Sequence, residues 1–341
     1  MPIPRVGTMD PAGLGSEKKK RTLRRERMPL RFTKMHGIGN DYVLVDAIGG
    51  DGPEESARPE LARLVSDRHF GIGGDGLILL APPEDSANDA RMEMYNADGS
   101  RAQMCGNGIR CVAKLAIDNG HASGPTLHIE SDAGVKTIDV EPGGDGREEL
   151  FRVDMGAPNV AREALPLVDG GAATEAAIDQ TIEIENQSFQ FTGVSMGNPH
   201  AVIRWEDTPL LDLPLESWGR AVEHHPWFPE RVNCEFIRII SPHEMEMRVW
   251  ERGSGETLAC GTGACACVVA AVLQGWCDRK VVVHLRGGDL TIEWPDDMSS
   301  VWMTGSATSV FSGTITNLDT LSRGAGLSIA AGHSYRTCAT P

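Results

Sequence analysis

The chain has 341 residues, 40% of them hydrophobic and 23% charged, with a formal net charge of −16. That length holds two domains that each bury a core of their own, and no apolar run approaches the roughly 20 residues needed to span a membrane. Positions 1–28 carry eight Lys or Arg against three acids, leaving 24 basic and 45 acidic residues, a net −21, in the remainder, which argues against nucleic-acid binding by the folded body.

Residues 1–28 read as a basic, disordered leader, and Met28 is a candidate original start. The ordered pattern opens at Leu30. Short strands are expected at YVLVD (42–46), LILLA (77–81), RMEMY (91–95) and TLHIE (126–130), with helices over 57–67 and after Cys105. The Gly- and Pro-rich stretch EPGGDGREEL (141–150) divides the chain. Beyond it the scheme recurs as AVIRW (201–205), NCEFIRII (233–240), EMRVW (246–250), a helix after Cys260 and VVVHL (281–285). The expected domains are 29–148 and 149–306, with a strand near 307–316 free to return to the first half and a loose tail over 317–341.

Residues 105–120, CGNGIRCVAKLAIDNG, and 260–275, CGTGACACVVAAVLQG, are one phrase written twice, 155 residues apart. Met94-Tyr95-Asn96 stands the same 155 residues before Val249-Trp250-Glu251, and FTKMHGIGND (32–41) is echoed by FTGVSMGNPH (191–200), with Gly39-Asn40 answering Gly197-Asn198 at a spacing of 158. Two long copies indicate a doubled structural unit rather than a solenoid. The helices after the two cysteines are apolar on nearly every side, so each belongs at the centre of its domain. The fold class expected is α+β: two pseudo-symmetric domains, each a curved mixed or antiparallel sheet wrapped round a central helix.

Cys105 and Cys260 each open such a helix, followed by Gly106 and Gly108 or by Gly261 and Gly263. Unpaired N–H groups and the positive end of the helix dipole make a seat for a carboxylate there, and glycines let a ligand approach. The same field is expected to lower a thiol's pKa. Two equivalent thiols flanking one small molecule suit inversion of a stereocentre, which needs a base on one face and an acid on the other, with the roles exchanged in reverse. Cys111, Cys234, Cys265, Cys267 and Cys277 read as packing thiols. Cys260-x4-Cys265-x-Cys267 lacks paired zinc spacing, so no metal is expected. A cysteine hydrolase needs one nucleophile with a histidine, and an amino-acid binding protein needs no thiol; neither accounts for the pair.

Taken in order, MHGIGND, FGIGGDG, YNADGS, MCGNG, GNPH, ERGSGET and ACGTGA make the stretch Phe32 to Thr316 resemble the diaminopimelate epimerase family. A similar cysteine motif occurs in proline racemases and hydroxyproline epimerases, usually with His where this chain has Asn107, which makes them the nearest alternative. The resemblance implies interconversion of LL- and meso-2,6-diaminopimelate without pyridoxal phosphate or other cofactor, in the route to lysine and peptidoglycan precursors. It implies a cytoplasmic homodimer acting on a small molecule. By the same resemblance Cys105 and Cys260 are the catalytic thiols, and the amides of Gly106-Asn107 and Gly261-Thr262 hold the reacting α-carboxylate. Asn40, Asn96, Asn198, Asn233, Glu251 and Arg252 become further substrate contacts, with Arg252, Asn96 and Asn233 reading the distal end, while His200 and Glu251 orient the thiols. Gly76 departs from the pattern, since many members have Gln there.

Overall fold

The computed structural model describes residues 29–316 apart from 51 and 144–148, together with the strand Leu327–Ala330. The expected leader lies outside the described residues, as does most of the expected tail.

The first half runs β1 (Leu30–Gly37), β2 (Asn40–Asp46), α1 (Arg58–Ser66), β3 (Gly76–Ala81), β4 (Ala90–Asn96), β5 (Arg101–Ala102), α2 (Gly106–Asp118), β6 (Thr126–Glu130), β7 (Lys136–Pro142) and β8 (Glu149–Asp154). After β9 (Gln180–Ile184) the second half repeats it: β10 (Gln187–Ser195), β11 (Pro199–Arg204), α3 (Leu215–Glu223), β12 (Asn233–Ser241), β13 (Glu244–Glu251), β14 (Gly255–Glu256), α4 (Gly261–Leu273), β15 (Lys280–Leu285), β16 (Gly288–Glu293) and β17 (Trp302–Ser306). Then come β18 (Thr308–Ile315) and β19 (Leu327–Ala330). Each expected strand is present within a residue or two of its reading, and α1 matches the expected 57–67 with Pro59 in its first turn.

Pairing follows the duplication. In both halves a hairpin (β1–β2, β10–β11) is extended by a parallel neighbour (β3, β12), an antiparallel one (β4, β13) and a parallel crossover strand (β6, β15). The crossovers from β4 to β6 and from β13 to β15 contain α2 and α4, which is what a parallel connection requires. Two antiparallel strands complete each set (β7–β8, β16–β17), and β18 pairs with β1 as β9 pairs with β10. The halves are stitched by β8 against β17, with Arg152 opposite Thr304. β19 pairs with β18, so four residues within the expected loose tail are in a sheet, satisfying their backbone against an edge strand.

Alternation along the strands explains why each sheet curls round a helix. In the first half Tyr42, Leu44, Ile78 and Leu80 point inward to α2, while Val43, Val45, Leu77 and Leu79 point outward beneath α1. The second half places Val194, Val202 and Ile237 inward and Phe189, Phe191, Phe236 outward under α3, a helix that has no counterpart in the expected elements. Its nine-residue sequence LESWGRAVE carries Gly219, yet Gly219 is what admits Trp250, whose Cβ would lie 2.5 Å from an added methyl. The inner clusters of both halves merge into one core containing residues of α2 and α4. Each fully buried Val or Leu in it contributes about 1.5–3 kcal/mol.

Candidate active site

Cys105 and Cys260 are the N-cap residues of α2 and α4, with extended backbone (φ −140 and −126), and each Sγ accepts the amide of the third helical residue, Gly108 or Gly263, at 3.4 Å. A thiol thus does what Ser or Asp does at most helix starts. The two helix ends abut. Asn107 Nδ2 donates to the carbonyl of Ala259, the residue before Cys260, at 3.3 Å. A Cβ on Gly106 would meet Met303 Cε at 2.8 Å, and one on Gly261 would meet Met303 Sδ at 2.8 Å. Of the four glycines, Gly106 and Gly261 lie against Met303, whose strand β17 joins the halves.

Around Cys105 the first half gathers Tyr42, Asn40 and Asn107. Tyr42 Oη lies 3.1 Å from Sγ and 2.7 Å from Asn40 Oδ1, which also takes Asn107 Nδ2 at 3.3 Å. Around Cys260 the second half gathers Thr262, with Oγ1 at 3.6 Å, and Glu251, whose charge raises the thiol and which accepts from Thr257 Oγ1. Glu251 also acts electrostatically on Cys105 and on Tyr42 in the other half. Both thiols pack on one core cluster.

His200 is fully buried and touches neither thiol; it reaches Cys260 through Asn198, whose Oδ1 lies 3.1 Å from Nε2 and whose Nδ2 lies 3.3 Å from Thr262 Oγ1. Asn96, Asn233 and Arg252 stand further off. Asn96 donates to Ser100 Oγ at 3.0 Å, and its cross-strand neighbour is Gly76. A side chain at 76 has no room, because a Cβ would fall 2.4 Å from the Tyr95 carbonyl. Asn233 donates to Pro199 O and accepts the Arg252 amide at 2.8 Å, fixing the loop that carries Arg252. The exposed Arg252 guanidinium bonds the Glu230 carbonyl at 3.1 Å and forms no ion pair among the described residues.

Burial overrides the helix-end field on the thiols. It pushes Cys105 above the ordinary thiol value despite the Tyr42 hydroxyl and the amides of Gly108 and Asn107, and it pushes Cys260 well above it, reinforced by the negative charges of Glu251 and Glu235. The lowered pKa expected from position alone is not what this burial favours. Burial likewise raises Glu251, against the hydroxyl of Thr257. The packing thiols Cys111 and Cys265 are pushed up to about 12 by the same cause.

Three residues of the site carry roles that the sequence did not suggest. Tyr42 stands 158 residues before His200, so the repeat spacing marked it. Glu235 lies beneath His200 on β12, with Nδ1 of the ring 2.6 Å from its Oε1. Arg110, fully buried on α2, bonds Asn107 Oδ1 at 3.0 Å, Gly106 O at 3.2 Å and Ser306 O at 3.1 Å, with no carboxylate partner among the described residues. Its guanidinium fixes the Asn107 amide and places a positive charge beside the abutting helix ends.

The sequence profile of diaminopimelate epimerases matches residues 32–161 and 192–310. A diaminopimelate epimerase of Desulfitobacterium hafniense is 49% identical over 286 residues, covering 84% of this chain and 98% of its own. One from Acetivibrio thermocellus is 47% identical over 288 residues, with coverages of 84% and 98%. Among solved structures, a PhzF-family phenazine biosynthesis protein of Bacillus anthracis superposes with a TM-score of 0.61 at 15% identity, covering 84% of this chain and 99% of that one. A hydroxyproline epimerase of Agrobacterium vitis, with bound trans-4-hydroxy-L-proline, gives 0.59 at 16% identity, with coverages of 84% and 92%. These two share the α+β fold; at such identity they carry nothing about substrate.

Proposed function

This chain belongs to the diaminopimelate epimerase family, and from that premise we propose that Cys105 and Cys260 are its two catalytic groups. The enzyme is an isomerase that interconverts LL- and meso-2,6-diaminopimelate without pyridoxal phosphate, in lysine biosynthesis. The observation that carries the residue assignment is the pair of thiol-capped helices meeting end to end, bridged by Asn107 and Ala259.

One cysteine, as thiolate, takes the α-proton, forming its S–H bond while the electron pair of the broken C–H bond remains on the α-carbon and its carboxylate. The other, as thiol, gives its proton to the opposite face and becomes the thiolate, so the protein's proton count is unchanged. The α-proton is a very weak acid, so the developing negative charge needs the helix-end amides of Gly106-Asn107 and Gly261-Thr262. The Arg110 guanidinium adds to that field. Burial raises both thiols, so the reactive form, in which one thiol has given its proton to solvent, is favoured as pH rises.

Asn40, Asn198 and Thr262 support the thiols, and Glu251 and His200 orient them. Arg252, poised without a carboxylate, takes the distal carboxylate with its two-pronged donor face, alongside Asn96 and Asn233. The proposed setting is the cytoplasm, where thiols stay reduced, and the proposed assembly is a homodimer. No helix among the described residues is long and apolar enough to cross a membrane.

The deciding experiment is a chiral assay of purified protein against LL-diaminopimelate and L-proline in parallel. Turnover of the first alone is expected. Turnover of proline instead would reassign the substrate.

A further inference from the structure

The duplication that supplies two thiols also supplies two asparagines, and their amides are held in opposite senses. Asn40 donates Nδ2 to Asp75 Oδ2 at 2.6 Å, so its Oδ1 faces Tyr42 Oη at 2.7 Å, Asn107 Nδ2 at 3.3 Å and Cys105 Sγ at 3.5 Å. Asn198 turns the other way, with Oδ1 3.1 Å from His200 Nε2 and Nδ2 3.3 Å from Thr262 Oγ1. The group behind each amide decides its sense. A carboxylate only accepts, so Asp75 fixes Asn40; an imidazole accepts or donates according to its protonation.

Glu235 determines which. His200 and Glu235 are both 0% exposed, and Glu235 Oε2 has no hydrogen-bond partner. A buried carboxyl with one oxygen unpartnered is tolerated when the pair it belongs to carries no net charge. Two arrangements achieve that: imidazolium against carboxylate, or neutral imidazole against carboxylic acid. Both put a proton on Nε2. A bare Nε2 leaves either a carboxylate beside a singly protonated ring, with a net negative charge in the core, or an acid whose O–H sits on the unpartnered Oε2, a buried donor without an acceptor. The repeat points the same way. Strand register aligns His200 with Tyr42 and Glu235 with Ile78, so the imidazole and its carboxyl occur together in one half and are both absent from the other.

We infer that Glu235 is a positioning residue for the Cys260 half-site, an inference resting on the assignment of Cys260 as a catalytic thiol. It keeps the proton on His200 Nε2, which turns the Asn198 NH2 toward Thr262. Thr262 Oγ1, accepting from Asn198, then directs its own proton at Cys260 Sγ, 3.6 Å away. The Asn40 amide thus presents its carbonyl to Cys105 directly, while the Asn198 amide acts on Cys260 through its NH2 and the Thr262 hydroxyl. Two thiols alike in sequence are served by asparagine amides held in opposite senses.

The direct measurement is a long-range proton–nitrogen NMR correlation on 15N-histidine-labelled full-length protein, with His200 identified by its loss in His200→Gln. A protonated Nε2 at neutral pH is expected; a bare one overturns the inference. The functional arm is Glu235→Gln, which removes the demand for charge cancellation at nearly constant volume. It is expected to lower kcat about tenfold with KM little changed, and that loss should vanish in a Thr262→Val background, since the route to Cys260 passes through that hydroxyl. Equal losses in both backgrounds overturn the inference and leave Glu235 structural. The ring measurement uses the unaltered chain, so it decides between the two protonation states even where a variant folds poorly. An active Cys260→Ala enzyme sinks the functional assignment itself, whereas a bare Nε2 sinks only the role of Glu235.

Discussion

Asn107 Nδ2 and the Ala259 carbonyl, 3.3 Å apart, join the start of one central helix to the residue that precedes the start of the other. They are 152 positions apart, in opposite halves of a duplicated chain. The bond brings the helix dipoles of the two halves nose to nose, a repulsive arrangement unless negative charge lies between them. In the proposed mechanism a substrate carboxylate is that charge.

If each thiol handles the proton on its own face, neither can replace the other. Cys105→Ala and Cys260→Ala are each expected to abolish net epimerisation, a loss at least on the order of 10²–10⁴-fold, while circular dichroism stays native. Substantial turnover by either variant contradicts the two-base assignment.

The proton returned to carbon comes from a thiol in exchange with solvent. Run in deuterium oxide, the reaction should place deuterium at the inverted centre of the product, as read by mass spectrometry. Product without the label would rule out this chemistry.

Tyr42 has its hydroxyl 3.1 Å from Cys105 Sγ and its ring buried. Tyr42→Phe keeps the ring and deletes the donor, so kcat is expected to fall roughly fivefold to a hundredfold, since a hydrogen bond to a charged group contributes about 1.5–3 kcal/mol in full and less where other donors remain. Unchanged kcat would reduce Tyr42 to a packing residue.

Arg252 is exposed and bonds only a carbonyl, so Arg252→Gln should leave the melting temperature nearly unchanged. If its fork binds the distal carboxylate, KM for diaminopimelate rises roughly 10- to 100-fold. A drop in stability with KM intact would show the opposite role.

Burial raises the pKa of all the described cysteines above the ordinary 9.0. In the unfolded chain they ionise near that value, in the folded one at higher pH. Between the two, the unfolded state binds fewer protons, so this contribution to stability is complete below pH 9.0 and is lost as pH rises beyond it. Urea midpoints should fall from about pH 9 upward, and Cys265→Ala should flatten that decline. A flat alkaline limb in the wild-type protein would show that the thiols titrate normally when folded.

The strands were legible because both faces of each sheet are covered: runs such as LILLA, 77–81, have no polar face and stop at turn residues. α3 was not, since its amphipathic pattern is short and interrupted by Gly219, and only the indole of Trp250 explains why that glycine is there. Of the site, the residues repeated along the chain could be read directly. Glu235 and Arg110 carry no such mark; each is a charged residue whose burial follows from which strand or helix covers it.

The sequence by itself determined that there are two thiols, two glycine-flanked helix starts and a doubled sheet, because these follow from local periodicity and repetition. Only the tertiary structure decided that the helix starts meet, that burial outweighs the helix field on the thiols, and that Asn40 and Asn198 face opposite ways. The first joins residues 152 positions apart, the asparagine senses are set by Asp75 and by His200 with Glu235 across the sheet, and solvent exclusion comes from the whole core, so no local pattern encodes them.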